Sequence, residues 1–254
     1  MGLFLCPIVS NLAAPKPLRM TYDAVIAELK SYSQKTFEHI FDNHGAGGRS
    51  WGVKIEDLKK IQKKVRTDHA LALQLFDTGI SDAQYLAGLI ADEKKITKEQ
   101  LHHWARHASW SMVSEYTVPW IAADSPHGWD LALEWIDAKE ESLQATGWAT
   151  LASVVATRPD DDLDLRALKD LLNRVTGTIH ASGNRVRYLM NSFVIALGTS
   201  VPLLTGEAVA AGNTIGKVKV DMGKTACKVP FAPDYIQKVI DRGTVGKKRK
   251  MARC

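Results

Sequence analysis

Residues 164–179, Asp164-Leu165-Arg166-Ala167-Leu168-Lys169-Asp170-Leu171-Leu172-Asn173-Arg174-Val175-Thr176-Gly177-Thr178-Ile179, decide the fold class. Leu165, Leu168, Leu172, Val175 and Ile179 recur every three or four residues, which gathers them on one stripe of an α-helix. Helical spacing of this kind runs from Met20 to about residue 200 with short breaks. It pairs segments 69–77 with 81–92, 98–108 with 111–123, 127–138 with 140–157, and 162–179 with 184–198. A hairpin of that size has too little surface to bury its apolar stripe alone, so successive hairpins are expected to stack into an all-α solenoid. A compact irregular bundle is the alternative. Two helix starts carry capping boxes, Ser81 with Gln84 and Thr97 with Gln100, each offering a hydroxyl to an orphan amide and an amide side chain back to the cap.

Strand-like alternation occurs once. Between Ile215 and Met222, Val218, Val220 and Met222 alternate with Lys217, Lys219 and Asp221, which predicts a short extended segment with both lysines on one face. An irregular stretch with Gly216, Gly223 and Pro230 surrounds it, and a last helix is expected near 232–242. The organisation expected is a loose leader over 1–19, one helical domain over 20–245 and a basic tail over 246–254. Met20 is where the functional chain is expected to begin.

With 254 residues, 45% hydrophobic and 24% charged, the chain can bury a sizeable core. Its formal charge of +5 is unevenly placed, because Lys247, Lys248, Arg249, Lys250 and Arg253 crowd the C-terminus. Such a cluster suits an anionic partner or a solvated end. Cys6, Cys227 and Cys254 are odd in number and lack metal-ligand spacing, so a reducing compartment is expected, and no stretch approaches the length of a membrane span. There is no GxGxxG, GxxxxGK[ST] or GxSxG pattern. Glu99, His103 and His107 sit four apart on one helix face, but Trp104 stands where a metalloprotease glutamate would be, and no metal or cofactor is expected.

Six of the seven tryptophans lie between positions 104 and 148, so that region is either a dense core or a stacking surface for flat rings. Lys59, Lys60, Lys63, Lys64 and Arg66 form a basic helix face. Trp148 has Gly147 beside it, which lets a phosphate or another helix approach closely; helix packing is the preferred outcome.

Three stretches together carry a resemblance: Trp51-Gly52-Val53-Lys54 leading into Asp57-Leu58-Lys59-Lys60-Ile61; the tryptophan helices from Gln100 to Trp120; and Val220-Asp221-Met222-Gly223-Lys224-Thr225-Ala226-Cys227-Lys228-Val229-Pro230. The chain resembles the DNA alkylation repair family of AlkD-like, HEAT-like repeat proteins over most of residues 20–245, and its C-terminal stretch resembles one branch of that family. The resemblance implies a HEAT-like solenoid whose concave, basic face holds double-stranded or structured DNA in a monomeric, cytoplasmic protein that is nucleoid-associated when bound. In active members a tryptophan and an aspartate four residues later support release of N3- or N7-alkylpurines, with the carboxylate stabilising an oxocarbenium-like sugar. Trp110 matches the tryptophan, and the aspartate position is Ser114. Glu115 is adjacent, but on a regular helix it lies about 100° round from that position, so only a local bulge would bring it in. The family's second stacking ring falls near Ile195, and its arginine-bearing helix near Thr146-Gly147-Trp148-Ala149.

The candidate catalytic residues are accordingly Trp110 and Glu115. The candidate DNA contacts are Lys59, Lys60, Lys63, Lys64, Arg66, Trp110, Trp148, Lys217, Lys219, Lys247, Lys248, Arg249 and Lys250. Three functions follow: an alkylpurine glycosylase, an inactive binder of distorted, forked or junction DNA, or a helical-repeat scaffold for proteins.

Overall fold

In a computed structural model, which describes residues 20–253, the helical periodicity resolves into thirteen α-helices among the described residues. The leader expected over 1–19 lies outside that range. The first three helices, α1 (Tyr22–Ser31), α2 (Lys35–Asn43) and α3 (Ile55–Val65), precede the hairpins. Then follow α4 (His69–Phe76) with α5 (Ser81–Ile90), α6 (Lys98–His107) with α7 (Val118–Asp124), and α8 (Gly128–Ile136) with α9 (Glu141–Thr157). The chain finishes with α10 (Leu165–Thr178), α11 (Asn184–Ser200), α12 (Thr205–Ile215) and α13 (Ala232–Asp241).

Each apolar stripe is buried where the periodicity puts it, as with Leu168, Leu172, Val175 and Ile179, none more than 3% exposed. The Thr97–Gln100 capping box forms in full, with Gln100 N donating to Thr97 Oγ1 at 3.2 Å and Thr97 N donating to Gln100 Oε1 at 3.0 Å. The box expected at Ser81 does not form. Helix α5 starts one residue earlier, and the Gln84 amide is drawn into the core, donating to Phe76 O and His107 O and accepting from Ser109 N. Three backbone partners outcompeted one cap.

Helix α12 has no counterpart in the periodicity. Its sequence, Thr-Gly-Glu-Ala-Val-Ala-Ala-Gly-Asn-Thr-Ile, is dominated by small residues and two glycines, so its apolar stripe is faint; it is held by packing on α10, α11 and α13. The alternation at 215–222 is real, with Val218 buried and Lys217 and Lys219 exposed, yet no ladder forms and no strand occurs among the described residues. The valines pack on the helical body instead of on a sheet partner.

Helices α5, α7, α9 and α11 lie side by side, and their C-terminal ends share one edge of the molecule. The basic tail runs along that edge. Gly246 N donates to Thr199 O, Lys248 Nζ to Val155 O and Arg249 N to Ala156 O; Ala252 N donates to Asp124 Oδ1 and Arg253 Nη1 to Ala91 O. In order, these are the ends of α11, α9, α7 and α5. Unpaired helix-terminal carbonyls and the negative end of the macrodipole are what cationic donors stabilise. Lys248 and Arg253 also pair with Asp160 and Glu93, at 2.8 Å each. The segment is therefore a brace tied to four helices rather than a loose tail.

Most of the tryptophan block is core. Trp104, Trp135 and Trp148 are at most 2% exposed, and Trp104 stacks on Phe76 with centroids 4.2 Å apart. Gly147 serves helix packing, as preferred, because a Cβ there would lie 2.7 Å from Ile136 N on α8. No single helix among the described residues is long and apolar enough to cross a membrane.

Candidate nucleic-acid interface

Trp110 and Trp129 are the partly buried rings of the block, and Trp110 is the one beside α2 and α3. It sits between α6 and α7, half-buried, with Phe41 of α2 tilted against it at 5.7 Å and its indole N–H without an acceptor among the described residues. A buried unpaired donor costs about 1–3 kcal/mol, so stability alone does not explain the ring's placement. The neighbouring Trp-Gly-Val stretch folds around Asp82, whose carboxylate accepts from Ser50 Oγ at 2.9 Å, Trp51 N at 2.7 Å and Val53 N at 2.9 Å. Gly52 has φ +68°, with no room for a side chain beside Gln34 and Glu38. This anchors the connection that places α3 beside Trp110.

After Trp110 the chain makes a π-helical turn, Val113–Thr117, before α7. Three hydrogen-bonding facts define it. Ser114 O is taken by Thr146 Oγ1 at 2.8 Å, Val118 N–H bonds to Val113 O, five residues back, and Pro119 has no N–H to give Glu115 O. The wider turn adds the bulge that a regular helix lacks, and Ser114 and Glu115 both line the cleft beside Trp110.

Glu115 does not stand there alone. Its carboxylate, 2% exposed, receives the Arg185 guanidinium on both oxygens, Nε at 2.7 Å on Oε1 and Nη2 on Oε2. Burial pushes the Glu115 carboxyl above its usual range against the pull of Arg185, while the Glu115 contact raises Arg185. Arg185 lies at the start of α11, with its guanidinium 4.7 Å from the Tyr188 ring and its backbone N–H donating to Glu141 at 2.7 Å. Tyr188 faces the same pocket as Trp110. Tyr188 lies two turns before Ile195 on the same helix, and the arginine that reaches Glu115 is carried by α11. Although Tyr116 is 38% exposed, partial burial of its hydroxyl, with Tyr188 and Glu115 close by, raises the phenol.

Residues 216–231 form a strap anchored to α11. Asn184 and Asp221 exchange two hydrogen bonds of 2.8 Å, Arg185 Nη1 lies 3.8 Å from Met222 Sδ, and Asn191 Nδ2 donates to Pro230 O at 3.0 Å. The tip of the strap reaches α2, where Cys227 and Ile40 share a pocket and Gly223 comes close to Asn43 O. The strap therefore crosses from the last helices to the second one, over the side where Trp110 and Tyr188 lie.

Cations flank this groove on two banks, while its middle, with Arg106, Glu115, Glu141 and Arg185, is balanced. On one bank Ile55 lies beside Trp110, and Lys59 and Lys63 follow it at spacing four, with Arg66 at the end of the helix. None of these three cations has an ion pair among the described residues, whereas Lys60 pairs with Asp57 and Lys64 with Glu28, both at 2.6 Å. On the other bank Lys217, Lys219 and Lys228 surround a cleft of about 720 Å³ with Arg187, whose buried Nε has no partner among the described residues. Lys228 and Arg187 were not legible as groove residues from the sequence, Arg187 because a lone arginine in a helix carries no pattern.

Five of the expected contacts, Trp148 and the 247–250 cluster, lie away from this pocket. Trp148 is core, 1% exposed, between Phe193 at 5.3 Å and the Arg174 guanidinium at 5.8 Å. The 247–250 cluster runs along helix C-termini. Helices α9 and α11 point their N-termini into the groove and span 17 residues each, about 25 Å, so the brace sits at their far end. Lys248 is committed to Val155 and Asp160 there, and Lys247, Arg249 and Lys250 are exposed on that edge. His103 pairs with Asp77 at 2.7 Å and His107 with His103 O at 2.8 Å.

A family model described as DNA alkylation repair enzyme matches residues 25–230. Two proteins described as uncharacterized are similar over 229 residues, which is 88% of this chain and 99% of theirs: Lin0241 of Listeria innocua serovar 6a, 32% identical, and Lmo0209 of Listeria monocytogenes serovar 1/2a, 33% identical. One solved structure aligns with a TM-score of 0.86 and 31% identity over 92% of this chain and 100% of its own. It is described as a new family of proteins related to the HEAT-like repeat DNA glycosylases with affinity for branched DNA structures.

Proposed function

Because the chain belongs to the DNA alkylation repair enzyme family, with a HEAT-like helical-repeat fold, we propose that it binds structured DNA in the strapped groove and does not excise bases. The observation that carries this is the Glu115–Arg185 pair. Excision builds positive charge on the sugar, which a nearby uncompensated anion stabilises. The carboxylate that the π turn delivers is 2% exposed and neutralised on both oxygens, and Ser114 supplies no charge. A sugar cannot touch it unless the ion pair opens. The similar solved protein has affinity for branched DNA, and two cationic banks separated by a neutral floor suit DNA arms diverging from a branch better than one continuous duplex. As a DNA binder the protein acts in the cytoplasm, associated with the nucleoid when bound.

The test pairs two assays. Purified protein incubated with methylated duplex DNA is expected to release no alkylpurine under conditions in which an active family member does. It is expected to bind forks or junctions more tightly than a linear duplex of equal length, with affinity falling linearly in log salt. Release of alkylpurine, abolished by Glu115→Gln, overturns the reading in favour of a glycosylase. Absent or salt-insensitive binding counts against both DNA readings and favours the protein-scaffold alternative.

A further inference from the structure

We propose that the pocket between Trp110 and the strap receives one unpaired nucleobase at the branch point of the bound DNA. The inference rests on the DNA-binding reading and specifies what the groove selects. The pocket holds about 320 Å³, in the range of sites that enclose small flat ligands. Its walls come from three distant segments, Phe41 on α2, Trp110, and Tyr188 on α11, and Met222 and Cys227 of the strap close it.

Aromatic faces and a thioether are what a heteroaromatic ring stacks on, at about 1–3 kcal/mol per base. A paired base within a duplex offers only its edges to a protein and cannot reach these faces. A base already unpaired at a fork or junction enters without the cost of unstacking and unpairing. Charge sorts the rest of the nucleotide. The one guanidinium in the wall, Arg185, is neutralised by Glu115, so the pocket suits an uncharged ring and not a phosphate. The flanking phosphates have Lys59 and Lys63 on one side and Arg187, Lys217 and Lys219 on the other.

The probe is 2-aminopurine placed at an unpaired position of a fork, or within a fully paired arm of the same fork. Binding of the wild-type protein is expected to quench the unpaired probe and leave the paired one unchanged. Met222→Ala, in the strap and outside the helical core, and Tyr188→Ala are each expected to reduce the preference for a fork with unpaired nucleotides over a fully paired junction about fivefold or more. Tyr188→Phe is expected to retain the preference. Equal affinity for the two DNAs, with the unpaired probe unquenched, overturns the pocket and leaves the DNA-binding reading standing. Absence of binding to any DNA at low salt overturns both.

Discussion

At the scale of single residues the groove turns on Glu115 and Arg185. Removing the guanidinium leaves a carboxylate 2% exposed with its charge unopposed. Arg185→Met is therefore expected to lower stability by on the order of 3 kcal/mol at pH 8. The sign with pH follows from the direction of the shift. Burial already holds the folded carboxyl above its ordinary value, and loss of the arginine raises it further. The folded state then keeps a proton that the unfolded chain releases from about pH 4.3 upward. Stability is thus intact below that pH and lost as the pH rises toward the folded value, so the deficit is small at pH 4 and larger at pH 8. Urea denaturation of Arg185→Met at both pH values checks this. A deficit independent of pH excludes the unpaired carboxylate as its cause, and the double variant Glu115→Gln with Arg185→Met is expected to recover most of the stability.

At the scale of elements, three devices shape the interface: the π turn, helix α3 and the strap. The π turn sets which side chains reach the cleft beside Trp110. Pro119 removes the donor for Glu115 O and Thr146 captures Ser114 O, so the helix widens where a regular one would turn Glu115 away. In α3 the four lysines divide into two roles. Lys60 and Lys64 pair with Asp57 and Glu28, while Lys59 and Lys63 continue the row from Ile55. Lys59→Gln with Lys63→Gln is expected to weaken DNA binding and to reduce the slope of log affinity against log salt by about one unit for each phosphate no longer neutralised. Lys217→Gln with Lys219→Gln on the strap is expected to do the same. Lys60→Gln with Lys64→Gln is expected to leave the slope nearly unchanged, and titrations over a series of salt concentrations separate the three pairs. An equal fall in slope for all three would mean that the ion pairs do not sort the lysines.

At the scale of the whole molecule, the brace turns four side-by-side helices into one unit. It touches Thr199, Val155 and Ala156, Asp124, and Ala91 in sequence, so each helix end it caps is held relative to the next. A solenoid is held mainly by packing between neighbouring repeats, and a length of chain crossing several of them adds cooperativity that nearest-neighbour packing lacks. Arg253→Ala, which removes the hydrogen bonds to Ala91 O and Glu93, is expected to cost about 1–3 kcal/mol. That corresponds to a fall in Tm of about 2–4 °C for each kcal/mol in a chain of this size. Truncation after residue 245 is expected to lower Tm further and to broaden the calorimetric transition as the repeats uncouple. A sharp transition at the wild-type temperature would show that the brace is dispensable.

The sequence by itself determined the helical class, most of the helix boundaries and the family. These depend on periodicity and short motifs, and the forces behind them act between residues a few positions apart. It missed α12, whose small residues leave little periodic signal, and it overcounted the cap at Ser81, where a buried network reached Gln84 first. The proline at 119 was a legible hint of the π turn, but the partner that helps produce it, Thr146, lies 32 residues away from Ser114. Only the tertiary structure decided that Trp148 is core, that the C-terminal cations divide between a brace and an exposed edge, that Tyr188 faces Trp110, and that Arg185 neutralises Glu115 across 70 residues of chain. The physical reason is common to all four. Whether a ring is solvated or packed, and whether a charge is opposed, depends on neighbours brought together by the stacking of repeats, and local spacing carries no record of them.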